Sequence, residues 1–335
     1  MTVRSLTIAG VALWVGAAPV AAQRPGEPKP ARADSVTLTF DWPVGLRASV
    51  SHRRGQIQAR GGRADSSVIE VRYRMAVETH PRGRRVSYSD FALPPEFDSL
   101  SGRVGPDAWA AIAGVFAPPI LIADSGDMLG LADPEGYVAA IRAVLAPHLD
   151  SLPADSTGDR ARAFFERFLS PEVLTAQAAS DWNLLVGFWI GARLERGVVL
   201  ELTNEEPIPI FPGRTVPYHY LFGFEGREPC TEEARDSACV VLELITRPDS
   251  AAVRALVTSL VRDLVPGSAA AGFTYRRLEI ENHIRLLTEP RGMIPHRLEI
   301  EQSASVEVEV PGEPVQAMSQ VRARRLEFAY DRPRP

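Results

Sequence analysis

The sequence predicts an α+β fold: a long, twisted antiparallel sheet, a half-barrel being one form of it, with helices packed on one face. Two observations carry that expectation. Toward both ends of the chain apolar and polar residues alternate with a period of two, as in strands with one wet face. The middle changes to helical spacing, and its apolar stripes start behind capping residues.

The first residues read as an address. Arg4 supplies a small positive region, residues 6–18 an apolar core, and Val20-Ala21-Ala22 the small side chains a signal peptidase reads. Residues 1–22 are therefore expected to be a secretory signal peptide. The apolar stretch is shorter than the roughly 20 residues a membrane-crossing helix needs, so no transmembrane anchor is expected after cleavage. Residues 23–35, rich in proline, alanine and charge, read as a flexible tether, and 36–332 as one domain with a helical segment at 134–190.

Along that domain, Ile69, Val71, Tyr73, Met75 and Val77 alternate with charged residues, and Val86 and Tyr88 continue the pattern after His80-Pro81-Arg82-Gly83, which makes a hairpin. Residues 106–116 suggest a short helix. A second hairpin is expected at 120–131 around Asp124-Ser125-Gly126-Asp127. Asp133-Pro134-Glu135 and Ser170-Pro171-Glu172 open helices, and Phe164, Phe165, Phe168 and Leu169 mark another between them. A further helix, capped by Ser250, carries Val253, Leu256, Val257, Leu260 and Leu264 on one face.

The last third reads as a long hairpin. Leu298, Ile300, Ala304, Val306, Val308 and Val310 share one face opposite Glu299, Glu301, Glu307 and Glu309. On the return, Val315, Ala317, Val321 and Ala323 occupy odd positions but Leu326, Phe328 and Tyr330 even ones, which calls for a bulge at Arg324-Arg325. The same slip is expected at Arg276-Arg277. Between two strand-like runs, Cys230 and Cys239 read as a hairpin-closing disulfide, which fits an oxidising compartment.

Several function classes are disfavoured. A net charge of −5 and a pI of 5.8 give no electrostatic reason to bind nucleic acid or an anionic membrane. Lys29 is the only lysine and lies in the tether, which removes Schiff-base chemistry, a phosphate-binding Walker loop and Ser-Lys hydrolysis. The six histidines are scattered, no metal is expected, and no nucleophile elbow is present. Neither a catalytic residue nor a cofactor is assigned. Arg72, Arg74, Arg322 and Arg324 are expected on wet strand faces beside glutamates.

Two aromatic groups remain as candidate ligand walls. Tyr218, Tyr220, Phe222 and Phe224 share one face of a strand, and Trp182, Phe188 and Trp189 crowd a helix end. Ordinary core is the competing reading for both. The runs at 124–131, 195–202 and 209–217 resemble an uncharacterised family of secreted bacterial α+β proteins. The order of elements is similar to that of periplasmic carriers of lipoproteins and lipids, which implies a curved sheet cradling acyl chains. The expected function is thus a periplasmic or extracellular, non-enzymatic protein that binds an apolar ligand such as a lipid. The alternatives are an envelope protein-interaction module with a filled core and a hydrolase with a dispersed site.

Overall fold

The computed structural model describes residues 34–61, 63–92, 117–150, 156–208, 213–231, 238–264, 274–309 and 314–331. Strand predominates, and the α+β expectation is overturned. The strands are β1 (Ser35–Thr37), β2 (Thr39–Phe40), β3 (Arg47–Arg60), β4 (Arg63–His80), β5 (Gly83–Ala92), β6 (Ile120–Ile122) and β7 (Met128–Leu131). After β7 come helices α1 (Pro134–Asp150), α2 (Ser156–Phe168) and α3 (Pro171–Trp182), the last running into a π-turn at Asn183–Gly187. Then follow β8 (Arg193–Glu195), β9 (Val199–Pro207), β10 (Thr215–Pro229), β11 (Ala238–Pro248) and helix α4 (Ser250–Leu264). The chain continues through β12 (Thr274–Thr288), β13 (Arg291–Gly292), β14 (Pro295–Glu309) and β15 (Gln316–Tyr330). The helix expected at 106–116 lies outside the described residues.

Eleven strands form one open antiparallel sheet, not closed into a barrel, in the order β7-β6-β5-β4-β3-β15-β14-β12-β11-β10-β9. It consists of two meanders joined at a seam. β15 runs antiparallel to β3 from Met318 opposite Arg60 to Tyr330 opposite Ala48, so residues far apart in sequence meet in the middle of the sheet. The edges are β7 and β9, and α1 to α3 connect one edge to the other. The helical connection therefore has to pass over the sheet's inner face.

The excess of strand has a physical cause. β3 and β4 are 14 and 18 residues long, yet the alternation legible in sequence covers only part of them. The inner face of β3 carries His52, Arg54 and Gln56, so polar side chains sit where an apolar period was sought. Helix starts follow ordinary capping: the Gly136 amide donates to the Asp133 carboxylate at 3.0 Å and the Val173 amide to the Ser170 hydroxyl at 3.3 Å. The start of α4 differs from expectation. Its cap is Asp249, whose carboxylate accepts from the Ala252 amide at 2.7 Å, and Ser250 is the first helical residue.

Two expected bulges divide. The register does shift between Tyr275 and Arg277, but β14 and β15 stay in continuous register from Arg297–Glu327 to Val308–Gln316. With no bulge to turn them outward, Arg322 and Arg324 share the inner face with Leu326 and Phe328. The wet-face expectation for these two arginines is thus overturned, whereas Arg72 and Arg74 do lie outside, paired with Glu70 and Asp331.

The outer face is a lattice of cross-strand ion pairs, such as Arg285 with Glu225 and Glu228, and Arg325 with Glu299. Cys230 and Cys239 form a disulfide with their sulfurs 2.06 Å apart.

Between sheet and helices the core is continuous. Leu242, Leu244, Ile284 and Leu286 are buried at the centre, and Phe40, Trp42 and Trp182 form an aromatic cluster with ring centroids 5.1–6.0 Å apart. The Trp182 indole donates to the Gly126 carbonyl at 2.8 Å, which ties the end of α3 to the β6–β7 turn. Gly126 has φ +94°, and a Cβ there would lie 2.5 Å from Ile190 and 2.6 Å from Phe40. No side chain fits this position.

Substitution of Leu286 by alanine is expected to cost about 2–5 kcal/mol, and Glu301→Gln on the outer face less than about 0.5 kcal/mol. Urea denaturation of both variants checks the assignment; similar losses would mean that the faces are reversed.

Candidate functional site

Because the strands hold their register, side chains on the inner face form straight rows across the sheet. One row is polar throughout: Thr246 lies opposite Asn282, then come Gln302, Arg322, Gln56 and Ser67. Its amides are bonded in series. Gln302 Nε2 donates to Asn282 Oδ1 at 2.8 Å, and Asn282 Nδ2 donates to the Thr246 hydroxyl at 2.9 Å. The adjacent row changes character at the seam, from Leu244, Ile284 and Ile300 to Arg324 and Arg54.

These rows floor a cavity of about 370 Å³, a volume within the usual range of small-ligand sites. Its opposite wall comes from the α3 end (Ser180, Asn183, Leu184 and Phe188) and from Val253 and Leu256 of α4. Tyr218, Tyr220, Ile208 and Val216 close the side toward the β9 edge. The lining over β10 to β14 and α4 is therefore apolar apart from the row Thr246, Asn282 and Gln302, and it is cationic at the β15–β3 seam.

At the seam a buried cluster links sheet and helix. Arg324 Nη1 donates to Asp181 Oδ1 at 2.6 Å, and both Arg324 Nε and Arg54 Nε donate to His52 Nε2, at 3.1 and 3.0 Å. A ring nitrogen accepting two guanidinium hydrogens carries no proton, so His52 is neutral with its proton on Nδ1. Burial, then Arg324 and Arg54, pull its pKa down to about 2. Burial and the neighbouring Arg324 likewise bring Arg54 down to about 10. Burial opposes the charge of Arg324 too, but the Asp181 carboxylate outweighs it and raises the pKa. Arg322 has no such partner in the cluster, and burial lowers its pKa.

No protein-family model and no curated protein matches the chain. Among solved structures it is similar to lipovitellin, in a structure concerned with lipid–protein interactions, at 12% identity and a TM-score of 0.37. The likeness covers 88% of this chain and 27% of that one, so the chain spans about a quarter of lipovitellin. The resemblance of residues 124–131, 195–202 and 209–217 to a secreted bacterial family has no family model behind it.

The aromatic residues singled out in the sequence are divided by the structure. Tyr218, Tyr220 and Phe188 line the cavity. Phe222 lies behind Phe188 at 5.0 Å, and Phe224 is buried beneath Arg227. Trp182 belongs to the cluster with Phe40 and Trp42, and Trp189 is fully buried with its indole donating to the Leu184 carbonyl.

The Phe188 amide reaches the Asn183 carbonyl five residues back, and the Phe188 ring meets the edge of Trp189 at 5.0 Å while facing the cavity. Tyr220 is steadied by its hydroxyl, which donates to the buried Glu206 at 2.6 Å.

The polar row escaped sequence reading. Its signal was the single amide in each apolar alternation, Asn282 between Ile280 and Ile284 and Gln302 between Ile300 and Ala304. Cys230, Cys239 and His296 come close together as well, but the sulfurs are bonded to each other and offer no thiolate to a metal.

Two outcomes test the cluster. Asp181→Ala, which leaves the buried Arg324 charge uncompensated, is expected to cost about 3 kcal/mol, against less than about 1 kcal/mol for Glu327→Ala in the exposed pair with Arg325. The second concerns pH. Since His52 stays neutral when folded but is protonated in the unfolded chain below its ordinary value of 6.5, stability is full above that pH and declines as acid is added, down to about pH 2. The slope from this residue reaches about 1.4 kcal/mol per pH unit. His52→Gln keeps an acceptor without titrating, so its stability should fall less steeply between about pH 6 and 4. Parallel curves for the two proteins would rule out a neutral, buried His52.

Proposed function

We propose that this chain is a non-enzymatic protein that binds an apolar ligand, a lipid being the leading class, in the cavity between the sheet and the α3 and α4 helices. The observation that carries this reading is the cavity itself. A filled core would bring aliphatic and aromatic side chains into contact across it; instead Tyr218, Tyr220, Phe188, Val253 and Leu256 surround open volume. We place the protein in the periplasm or outside the cell, with residues 1–22 as its leader, 23–35 as its tether and 36–332 as its working body. The Cys230–Cys239 disulfide supports an oxidising compartment. No helix among the described residues is long and apolar enough to cross a membrane.

A second reading has one observation in its favour. Val198, Val199 and Leu200 lie exposed at the β9 edge, a surface suited to a protein partner in an envelope assembly. A hydrolase with a dispersed site would bring a serine or carboxylates together with a histidine in the cleft, whereas the described wall holds Ser67, Ser180 and arginines and no histidine or carboxylate.

An uncharged, environment-sensitive naphthylamine probe should bind saturably, with a rise in fluorescence. Ile300→Trp, which fills the floor, should abolish that signal while the protein still unfolds cooperatively. Val199→Lys at the edge should leave it unchanged. Absence of saturable binding to the folded wild-type protein would end the apolar-ligand reading and leave the interaction surface.

A further inference from the structure

The cavity is polarised along the sheet. Over β11, β12 and β14 its floor is Leu244, Ile284 and Ile300, broken only by the bonded series Gln302, Asn282 and Thr246. Beyond Gln302 the row reaches Arg322, and the neighbouring row reaches Arg324 and Arg54. All the charged residues on the described lining are therefore cationic and gathered at one end. The nearest acidic groups are engaged elsewhere: Asp181 with Arg324, and Glu206 with Tyr220 and Asn204.

Arg322 differs from the other two arginines. Arg324 and Arg54 donate to His52, and Arg324 also to Asp181, but Arg322 Nε is buried and has no hydrogen-bond partner among the described residues. A guanidinium whose donor is withdrawn from water without an acceptor is an arrangement a bound acceptor would complete.

The geometry points to an anionic amphiphile as the ligand, its carboxylate or phosphate head group meeting Arg322 at the β15–β3 seam and its tail lying over β11, β12 and α4. The assignment rests on the apolar-ligand reading and adds to it the charge and orientation of the ligand. It follows from chemistry at both ends. The guanidinium offers parallel N–H donors that match a carboxylate or phosphate, and one of them, Nε, is withdrawn from water without an acceptor. At the other end Val253, Leu256 and Ile284 offer nothing to a polar group, and the amides of Asn282 and Gln302 beside them are already bonded in series to Thr246. An amphiphile lying the other way would bury its head among aliphatic side chains and its tail among arginines, both unfavourable.

The experiment compares two ligands of equal tail length, dodecanoate and 1-dodecanol, by displacement of the uncharged naphthylamine probe, with acetate as the head group alone. Wild-type protein should bind dodecanoate about ten-fold more tightly than dodecanol, the factor that one charge-assisted hydrogen bond supplies, and should show no displacement by acetate. Dodecyl phosphate should share the preference, since the chemistry recognised is the anionic head. Arg322→Gln should bring the acid and the alcohol within about two-fold of each other, and Arg322→Lys should keep the acid ahead. Thermal unfolding of each variant shows that it is folded before it is compared.

Equal affinity for acid and alcohol in the wild type, or an unchanged preference in Arg322→Gln, would overturn the anionic head group while leaving an apolar site. Displacement by acetate alone would also overturn it, by reducing the site to an ion site. If neither long-chain ligand displaces the probe, the apolar-ligand reading fails and the head-group assignment goes with it.

Discussion

The contact between Arg324 and Asp181 fixes the helical layer over the sheet. Arg324 stands near the middle of the seam strand β15, and Asp181 stands in the last turn of α3, so a single bond of 2.6 Å connects the centre of the sheet to the end of its cover. Taking the Arg324 charge out of water is costly, and the pair survives because Asp181 compensates it and Arg324 has a further partner. His52 receives a second hydrogen from Arg324, and it can do so only as the neutral ring. Once Asp181 is held there, the π-turn that follows has one place to go. Asn183, Leu184 and Phe188 then face the floor across the open volume.

An open sheet of this width has two faces to reconcile with water, and the chain treats them differently. Outside, arginine and glutamate alternate from strand to strand, as in Arg285, Glu299 and Arg325, which leaves a charged surface without buried cost. Inside, the connection from β7 to β9 must bridge the whole sheet with few helices. It is packed over the aromatic cluster of Phe40, Trp42 and Trp182 and runs on into the π-turn, where Val186 is fully buried. The cavity lies between the sheet on one side and the α3 end with α4 on the other. That placement also explains why its wall contains both strongly buried residues such as Tyr220 and partly exposed ones such as Ile69.

How much of this could be read in sequence depends on whether a residue followed the local period. The hairpins at 120–131 and 298–330 were legible because turn residues and alternation agreed, and the helix starts because Asp133 and Ser170 stand before proline at the first helical position. The strand content was underestimated because His52, Arg54 and Gln56 break the alternation of β3. The mistaken bulge at Arg324-Arg325 had the same origin. It follows from placing Val321 and Ala323 on the same face as Leu326 and Phe328, whereas the continuous register puts Arg322 and Arg324 there instead. Of the candidate ligand wall, Tyr218, Tyr220 and Phe188 were legible as an aromatic row and a helix end. That Phe188 faces the cavity while its neighbour Trp189 is buried was not, because it depends on how the turn sits over the sheet.

A polar residue on the inner face of a strand is costly alone but much less so in register. Asn282 without Thr246 and Gln302 would bury an amide with its donors and acceptor unmet; with them, each amide donates to the next strand and the row becomes continuous. Such a row needs every member at one level, which is why continuous pairing from β11 through β15 to β3 matters more here than the identity of any single strand. A shift of one residue in β15 would turn Arg322 and Arg324 to solvent, break the bond to Asp181 and end the polar row at Gln302. The absence of a bulge in that strand is therefore what brings the cavity's cationic end and the anchor of its cover to the same side of the sheet.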